Sequence, residues 1–170
     1  MAKRVSISDE YLTLDYIVKY KNDLEEAIKL YFRYENFPTL TKNEINEKKK
    51  QILKEIEINT IFMLLSSIEA WIRIDYEYRV RKRLKDKLSR ELREVDKYLD
   101  KTYKISIEQL CDIYKKYTVG NLFSELKAVF KLRHWIAHGR YWKLKIGKKY
   151  DFDEVYQLAE AIFKLSKGLE

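Results

Sequence analysis

Turn-forming residues are scarce in this chain of 170 residues, which contains four glycines and a single proline, Pro38. Sandwiches and barrels need many chain reversals, whereas a few long helices need only a few breaks. The sequence therefore predicts an all-α fold. A chain of this length buries roughly 70% of the surface that it exposes when unfolded, which is enough for one core and a single helical domain over residues 1–170.

Composition excludes several other classes of protein. Hydrophobic residues make up 46% of the chain and charged residues 36%, which is typical of a folded globular protein. The single cysteine, Cys111, excludes an intrachain disulfide and a four-cysteine zinc site. The sequence has no stretch of 18 apolar residues that could span a membrane. No apolar segment of the kind found in signal peptides follows the basic pair near the N-terminus. We therefore expect a cytoplasmic protein that has no membrane partner.

Two predicted helices form the first half of the chain. Ser8 or Asp9 caps the first, which ends near Glu35, and the second begins at Thr41 or Asn43. The second helix is apolar nearly all round in its later part, and a helix of that kind is buried. The residues expected at the centre of the core are Ile61, Leu64, Leu65, Ile68 and Ile72.

Capping patterns predict further helices in the second half, which brings the total to five or six. After a short helix that reaches about Leu99, two helices begin with capping boxes, Ser106 with Gln109 and Asp151 with Glu154. The helix that begins at Ser106 runs through Tyr117, and the helix that begins at Asp151 is the last helix of the chain.

One more helix lies between those two. Gly120 is expected to end the preceding helix, Asn121 to cap this one and Gly139 to end it. Residues 141–150 then form a basic loop or short hairpin, and the last helix stops at Gly168.

The positive charge is concentrated in one segment. The chain has 35 Lys and Arg against 27 Asp and Glu, a net charge of +8, and residues 127–149 contain eight basic residues and no acidic one. Two tryptophans, a tyrosine and both histidines fall in the same segment. It therefore favours contact with phosphate or nucleic acid, with a solvated basic surface as the alternative. The eight basic residues are Lys127, Lys131, Arg133, Arg140, Lys143, Lys145, Lys148 and Lys149.

Arg133 interrupts an apolar stripe. At about 100° per residue, the apolar side chains of its helix fall on one side, and Arg133 lies in their midst. A guanidinium keeps its charge, so its burial needs a carboxylate, a phosphate or a subunit interface with water. Glu69 is the predicted carboxylate partner and Asp75 the second candidate, since both lie among apolar residues of the core helix. The alternative is an ion pair with a purely structural role.

The two histidines follow Arg133 closely. On a regular helix, His138 lies about 140° round from Arg133 and about 7.5 Å along the axis, so the two side chains do not point at one small group. Either the helix distorts near Gly139, or two copies of the chain form a shared cleft, which makes a two-fold dimer part of the mechanism. His134 and His138 have the spacing of zinc-binding helices. The chain has no third histidine, however, and no glutamate follows the first, so no metal site is expected.

Residues 133–138, Arg-His-Trp-Ile-Ala-His, have the form Arg, polar residue, three further residues, His. Near the end of a late helix and followed by Gly139, this motif resembles the signature of HEPN domains, helical domains common in prokaryotic defence and toxin–antitoxin systems. Residues 132–142 and residues 67–80 are similar to one HEPN subgroup. The resemblance covers about residues 60–165, and residues 1–58 are expected to form N-terminal helices that pack on this part.

The resemblance implies a homodimeric endoribonuclease that needs no metal or cofactor and leaves 2′,3′-cyclic phosphate and 5′-hydroxyl ends. RNA carries its own nucleophile, the 2′-hydroxyl, so the protein must supply a proton-transfer group and a cation for the developing charge. His138 is the expected general acid or base, and Arg133 the phosphate anchor and transition-state stabiliser. His134, at the polar position, would orient a catalytic group or contact phosphate.

The residues after the motif are expected to bind RNA. Arg140, Lys143 and Lys145 would hold flanking phosphates, and Trp142 or Tyr141 would stack on a splayed base. In the HEPN toxins that nucleotidyltransferase partners silence, a tyrosine occupies the second position after the histidine, whereas here Tyr141 occupies the third. Control by adenylylation of Tyr141 is therefore not expected, although an antitoxin protein remains an expected type of partner.

Two other functions compete with this interpretation. One is a non-catalytic HEPN module that binds a nucleotide or RNA and acts as an interaction subunit. The presence of both Arg133 and His138 disfavours it, since a binding module needs no proton-transfer residue. The other is a basic helical DNA-binding protein, which the absence of a short helix-turn-helix pattern disfavours.

Overall fold

The structure is a computed structural model that describes residues 10–99 and 105–165. Within these ranges the chain is all-helical and contains no strand. The predicted fold class is therefore confirmed, as is the prediction of five or six helices. The elements are α1 (Leu14–Tyr31), a short 3₁₀ helix (Tyr34–Asn36), α2 (Lys42–Arg81), α3 (Lys87–Tyr98), α4 (Ile107–Tyr117), α5 (Gly120–Ala137) and α6 (Phe152–Phe163).

The helix α2 is the axis of the bundle, since α1, α3, α5 and α6 all pack against it. Its 40 residues begin after Thr41, one of the two predicted starts, with a capping box in which Thr41 and Glu44 satisfy each other's backbone N–H groups. All five residues predicted for the centre of the core are buried, and Leu64, Leu65, Ile68 and Ile72 are fully so. Helix α4 packs against α5 and α3 and completes the core with Leu110 and Cys111.

The start of α1 differs from the prediction. The helix begins at Leu14, where the Thr13 hydroxyl accepts a hydrogen bond from the Tyr16 amide. Leu12 is excluded from the helix because its carbonyl accepts a hydrogen bond from the Ser67 hydroxyl on α2, at 2.7 Å. The predicted caps, Ser8 and Asp9, lie outside the described residues, as does Gly168, the predicted end of the last helix.

The end of α1 also comes earlier than predicted, at Tyr31 rather than near Glu35. Asn36 explains the difference, because its side-chain amide donates to the Tyr31 carbonyl at 2.8 Å and satisfies an acceptor that another helical turn would have used.

The junction between α4 and α5 corrects two predictions. Gly120 does not end α4, and Asn121 does not cap α5: α4 ends at Tyr117, and Gly120 is the first residue of α5. A Cβ atom at Gly120 would lie 3.3 Å from the Lys115 carbonyl oxygen, so the glycine allows the two helices to meet across a very short connection. Close approach, and not a side-chain cap, determines where α5 begins.

The end of α5 agrees with the prediction. His138 is the C-cap, and Gly139 follows with φ of +75°. The Gly139 amide donates to the Ile136 carbonyl and the Arg140 amide to the Trp135 carbonyl, which is the Schellman arrangement. Residues 141–150 then form a loop without strands, so the hairpin alternative is wrong. Among the described residues, no helix is both long and apolar enough to cross a membrane.

Candidate functional site

Arg133 lies, as predicted, in the apolar stripe by which α5 packs on the core. Leu126 and Val129 on this stripe are fully buried, whereas the Arg133 side chain keeps 26% of its surface exposed. Its Nη2 atom lies 2.8 Å from Oε2 of Glu69 on α2, and its guanidinium also lies 5.9 Å from the ring centre of Phe62. Glu69 is therefore the carboxylate partner of Arg133, as the sequence predicted.

The ion pair between Arg133 and Glu69 is incompletely satisfied. Oε1 of Glu69 accepts two hydrogen bonds from Arg73, from Nε and Nη2. Oε2 of Glu69 and Nε of Arg133 are both buried and have no hydrogen-bond partner among the described residues, although Oε2 lies 2.8 Å from Nη2 of Arg133. One carboxylate thus serves two guanidinium groups, and Arg133 keeps a buried donor that has no hydrogen-bond partner among the described residues.

Asp75, the second candidate for the partner of Arg133, belongs to a different cluster. Its Oδ2 atom accepts hydrogen bonds from Nε of Arg79 and from the Tyr114 hydroxyl. Arg79 also donates to the Ser89 hydroxyl and lies near Asp86. Burial and the neighbouring Asp75 charge raise the pKa of Tyr114, so its hydroxyl stays protonated and donates. The prediction of Asp75 as a second candidate partner of Arg133 was wrong, because its carboxylate forms an ion pair with Arg79, one helical turn later on α2.

His138 and His134 occupy the exposed side of α5. The His138 amide donates to the His134 carbonyl at 3.0 Å, so α5 keeps its helical geometry as far as the C-cap. The helix does not distort to bring His138 and Arg133 together. His134 Nε2 lies 3.8 Å from a carboxylate oxygen of Glu108 on α4. Within one chain, the structure places the two histidines on one face and Arg133 on another.

Arg140 is tied to the bundle instead of pointing freely into solvent. Its guanidinium makes a two-pronged ion pair with Glu55 of α2, with distances of 3.0 and 2.6 Å, and lies 5.9 Å from the Trp135 ring centre. The hydrogen bonds from Arg140 hold the pKa of Glu55 below its usual range. Its predicted role as a phosphate ligand therefore has to compete with an existing carboxylate.

The remaining predicted RNA-binding residues lie on the loop after α5. Tyr141 is 82% exposed, and its ring meets Trp142 edge to face at 4.7 Å. Trp142 stands with its ring 6.1 Å from that of His138, and its carbonyl accepts a hydrogen bond from Trp135 Nε1 at 2.7 Å. Lys143 and Lys145 are exposed on the same loop.

A shallow groove of about 440 Å³ joins this loop to α5. Four of the predicted site residues line this groove: Trp142, Lys143 and Lys145 from the loop, and His134 from α5. The residues that line it are Lys131, His134, Trp142, Lys143, Leu144 and Lys145.

Three residues of this region were not predicted from the sequence to belong to the site. Lys131 was counted in the basic segment without a role, although it lies one turn before His134 on the same face. Glu108, which lies 3.8 Å from His134, was not predicted to have a role in the site. Glu55 lies 85 residues from Arg140 in the chain, and no local pattern connects them.

Among the described residues, no group of three or more His, Cys, Asp or Glu side chains is placed to hold a metal ion. The candidate site is therefore built from two histidines, an incompletely paired arginine and a basic aromatic groove. Comparisons with protein-family models, with curated proteins and with solved structures find no match for this chain.

Proposed function

We propose that this protein is a metal-independent endoribonuclease of the HEPN type. The observation that supports this proposal most is the incomplete bonding of Arg133. This cation lies in the apolar stripe of α5, and its buried Nε has no hydrogen-bond partner among the described residues. A structural arginine in a core is normally fully bonded. The Arg133 side chain is also 26% exposed, so an anionic ligand such as a phosphate can approach this cation at the edge of the core.

The chemistry assigns one task to each residue. The 2′-hydroxyl of RNA attacks the neighbouring phosphorus, the 5′-oxygen leaves, and the products carry 2′,3′-cyclic phosphate and 5′-hydroxyl ends. His138, exposed at the C-cap, transfers a proton as general acid or base, because an imidazole titrates near neutral pH. Arg133 stabilises the negative charge that grows on the phosphate oxygens, and Glu69 fixes its orientation.

The site requires two copies of the chain in this proposal. Since α5 is regular through Ala137, His138 and Arg133 of one chain diverge by about 140°. A two-fold axis beside the end of α5 would place Arg133 of one copy near His138 of the other. The homodimer is thus the unit of catalysis, and each active site takes one residue of the pair from each chain.

The biological setting follows only from the resemblance. HEPN ribonucleases are common in toxin–antitoxin and antiphage systems, so we propose that this enzyme acts on cellular or phage RNA and that an antitoxin protein restrains it. The net charge of +8 suits a polyanionic substrate.

The test is cleavage of a labelled single-stranded RNA in EDTA by the wild type and by His138→Ala, beside an oligonucleotide of the same sequence with 2′-deoxy sugars. We expect cleavage of the RNA alone, with ends that carry a cyclic phosphate, and a loss of about 10²-fold to 10⁴-fold in the variant. Binding without cleavage by the wild type would contradict the proposal and favour a non-catalytic RNA-binding module.

A further inference from the structure

We propose that the groove between α5 and the following loop is a subsite for one unpaired nucleotide of the RNA, with its base on Trp142 and its phosphates on lysines. This inference deepens the proposed function by naming the form of the substrate, a flexible single strand. It also changes the expected roles of Arg140 and His134.

The distribution of ion pairs selects this groove from the rest of the basic segment. Four of its eight cations are paired with carboxylates: Lys127 with Asp112, Arg133 with Glu69, Arg140 with Glu55, and Lys148 with Glu125 and Glu154. The other four make no ion pair with a described residue and are exposed. Three of these four, Lys131, Lys143 and Lys145, line the groove, and the fourth, Lys149, does not. The free positive charge of the segment is therefore focused on the groove.

The groove also offers a surface for a base. Trp142 and Leu144 give it an apolar wall between the lysines. Stacking of a base on an aromatic side chain strengthens single-strand binding whatever the identity of the base, because every base has a π-face. The volume of about 440 Å³ falls in the range of small-molecule sites and suits one nucleotide. Trp142 is the better stacking platform because Tyr141, 82% exposed, does not line the groove.

The loop that carries Trp142 is held in place before any ligand arrives. The Trp142 carbonyl accepts a hydrogen bond from Trp135 Nε1. The Arg140 guanidinium lies over the Trp135 ring. Glu55 on α2 holds this guanidinium in an ion pair. These contacts reduce the entropy that the loop would lose on binding. Arg140 is thus a positioning residue for the stacking platform, with Glu55 as its anchor, and not a phosphate ligand.

The position of the groove connects it to the proposed chemistry. At about 100° per residue, Lys131, His134 and His138 lie within about 60° on one face of α5 and span about 10 Å along its axis. The Trp142 ring lies 6.1 Å from the His138 ring, so the groove ends beside the proposed proton-transfer group. A nucleotide in the groove would lead its neighbouring phosphate toward His138. His134, which lines the groove, contacts this nucleotide and does not orient the catalytic group.

A duplex does not fit this arrangement, because a paired base is stacked between its neighbours and cannot present its face to Trp142. We therefore expect the protein to bind single-stranded RNA in preference to a duplex of the same sequence.

The experiment measures the affinity of the full chain for a fluorescein-labelled single-stranded oligoribonucleotide in the His138→Ala background, which prevents cleavage. Trp142→Ala should weaken binding by about 5-fold to 100-fold, and Trp142→Phe by much less. Lys131→Ala and Lys143→Ala should each weaken binding several-fold and flatten the salt dependence by about 0.7 in slope. Lys149→Ala is the matched control, since this lysine is also exposed, makes no ion pair with a described residue and lies outside the groove; the variant should change affinity less than about 2-fold.

The subsite would be overturned by equal losses for Lys149→Ala and Lys143→Ala, by unchanged affinity in Trp142→Ala, or by equal affinity for duplex and single strand. Absence of RNA binding by the parent protein would overturn it as well. If the variants behave as expected but the enzyme with His138 never cleaves RNA, the subsite stands and the proposed nuclease activity fails. If the enzyme cleaves RNA and the groove variants alter neither affinity nor KM, the subsite fails alone.

Discussion

Two arginines of this protein meet carboxylates of α2 inside the bundle, and their surroundings differ. Arg79 is 3% exposed, bonds to Asp75 and Ser89 and lies near Asp86, while Asp75 also accepts from Tyr114. Arg133 keeps 26% of its side chain exposed, shares Glu69 with a second arginine and retains a buried Nε without a hydrogen-bond partner among the described residues.

The difference between the two arginines is the basis for proposing a structural role for Arg79 and a functional role for Arg133. Around Arg79, a network of hydrogen bonds compensates the cost of burying charge, and removal of one member leaves a charge stranded in the core. Around Arg133, solvent lies near and hydrogen-bonding capacity is left over. We expect stability to depend on the first cluster and RNA cleavage to depend on the second.

The largest expected effect on stability comes from Asp75→Ala. The substitution leaves Arg79 buried without its main carboxylate, so the free energy of unfolding should fall by about 3–5 kcal/mol. Urea denaturation followed by circular dichroism measures the change. A loss below about 1 kcal/mol would mean that the Asp75 cluster is not the structural element of this comparison.

Glu69→Gln should reduce RNA cleavage strongly and stability only slightly. Because the proposed site uses Glu69 to position Arg133, we expect kcat to fall by about 10-fold or more with KM nearly constant, and the free energy of unfolding to change by about 1 kcal/mol. Glu77→Gln is the matched control, since it breaks a similar pair with Arg81 on the same helix but at the surface. Equal kcat values for the two variants would remove Glu69 from the proposed site.

The smallest expected effect concerns Glu55 and its pH dependence. Hydrogen bonds from Arg140 lower the pKa of Glu55 in the folded protein, so the pair stabilises the fold above the ordinary Glu pKa of about 4.3 and loses this contribution as pH falls through the lowered value. The gain is below about 1 kcal/mol because both side chains are partly exposed.

The check is the difference in unfolding free energy between wild type and Glu55→Gln, measured from pH 8 to pH 3. The difference should be constant down to about pH 5 and decrease as the pH falls further through the lowered pKa of Glu55. A difference that grows on acidification would contradict the assigned ion pair.

Much of the fold was predictable because the sequence marks helix ends locally. Thr41 with Glu44, and the capping boxes at Ser106 and Asp151, fix three helix starts from residues three apart. The start of α5 was not predictable in this way, because Gly120 is selected by the nearby Lys115 backbone and not by a cap.

The candidate site was predictable where an anomaly lay on a regular helix. Arg133 and Glu69 both interrupt apolar stripes, and their pairing follows from helical spacing and the cost of buried charge. Asp75 was misassigned although Arg79, four residues on, gave a local signal. The pair of Glu55 with Arg140 depends on the approach of α2 to the loop after α5, which no pattern along the chain encodes.

The central claim is that one active site combines Arg133 of one copy with His138 of another, and mixing two inactive variants tests it most directly. Arg133→Ala and His138→Ala are each expected to be inactive. When the two variants are unfolded together and refolded, about half of the dimers should contain one chain of each variant. Each mixed dimer would have one intact site and one site that lacks both residues. The activity of the mixture should therefore return to about a quarter of the wild-type activity. No recovery, with mixed dimers confirmed by mass spectrometry, would contradict a site shared between two chains.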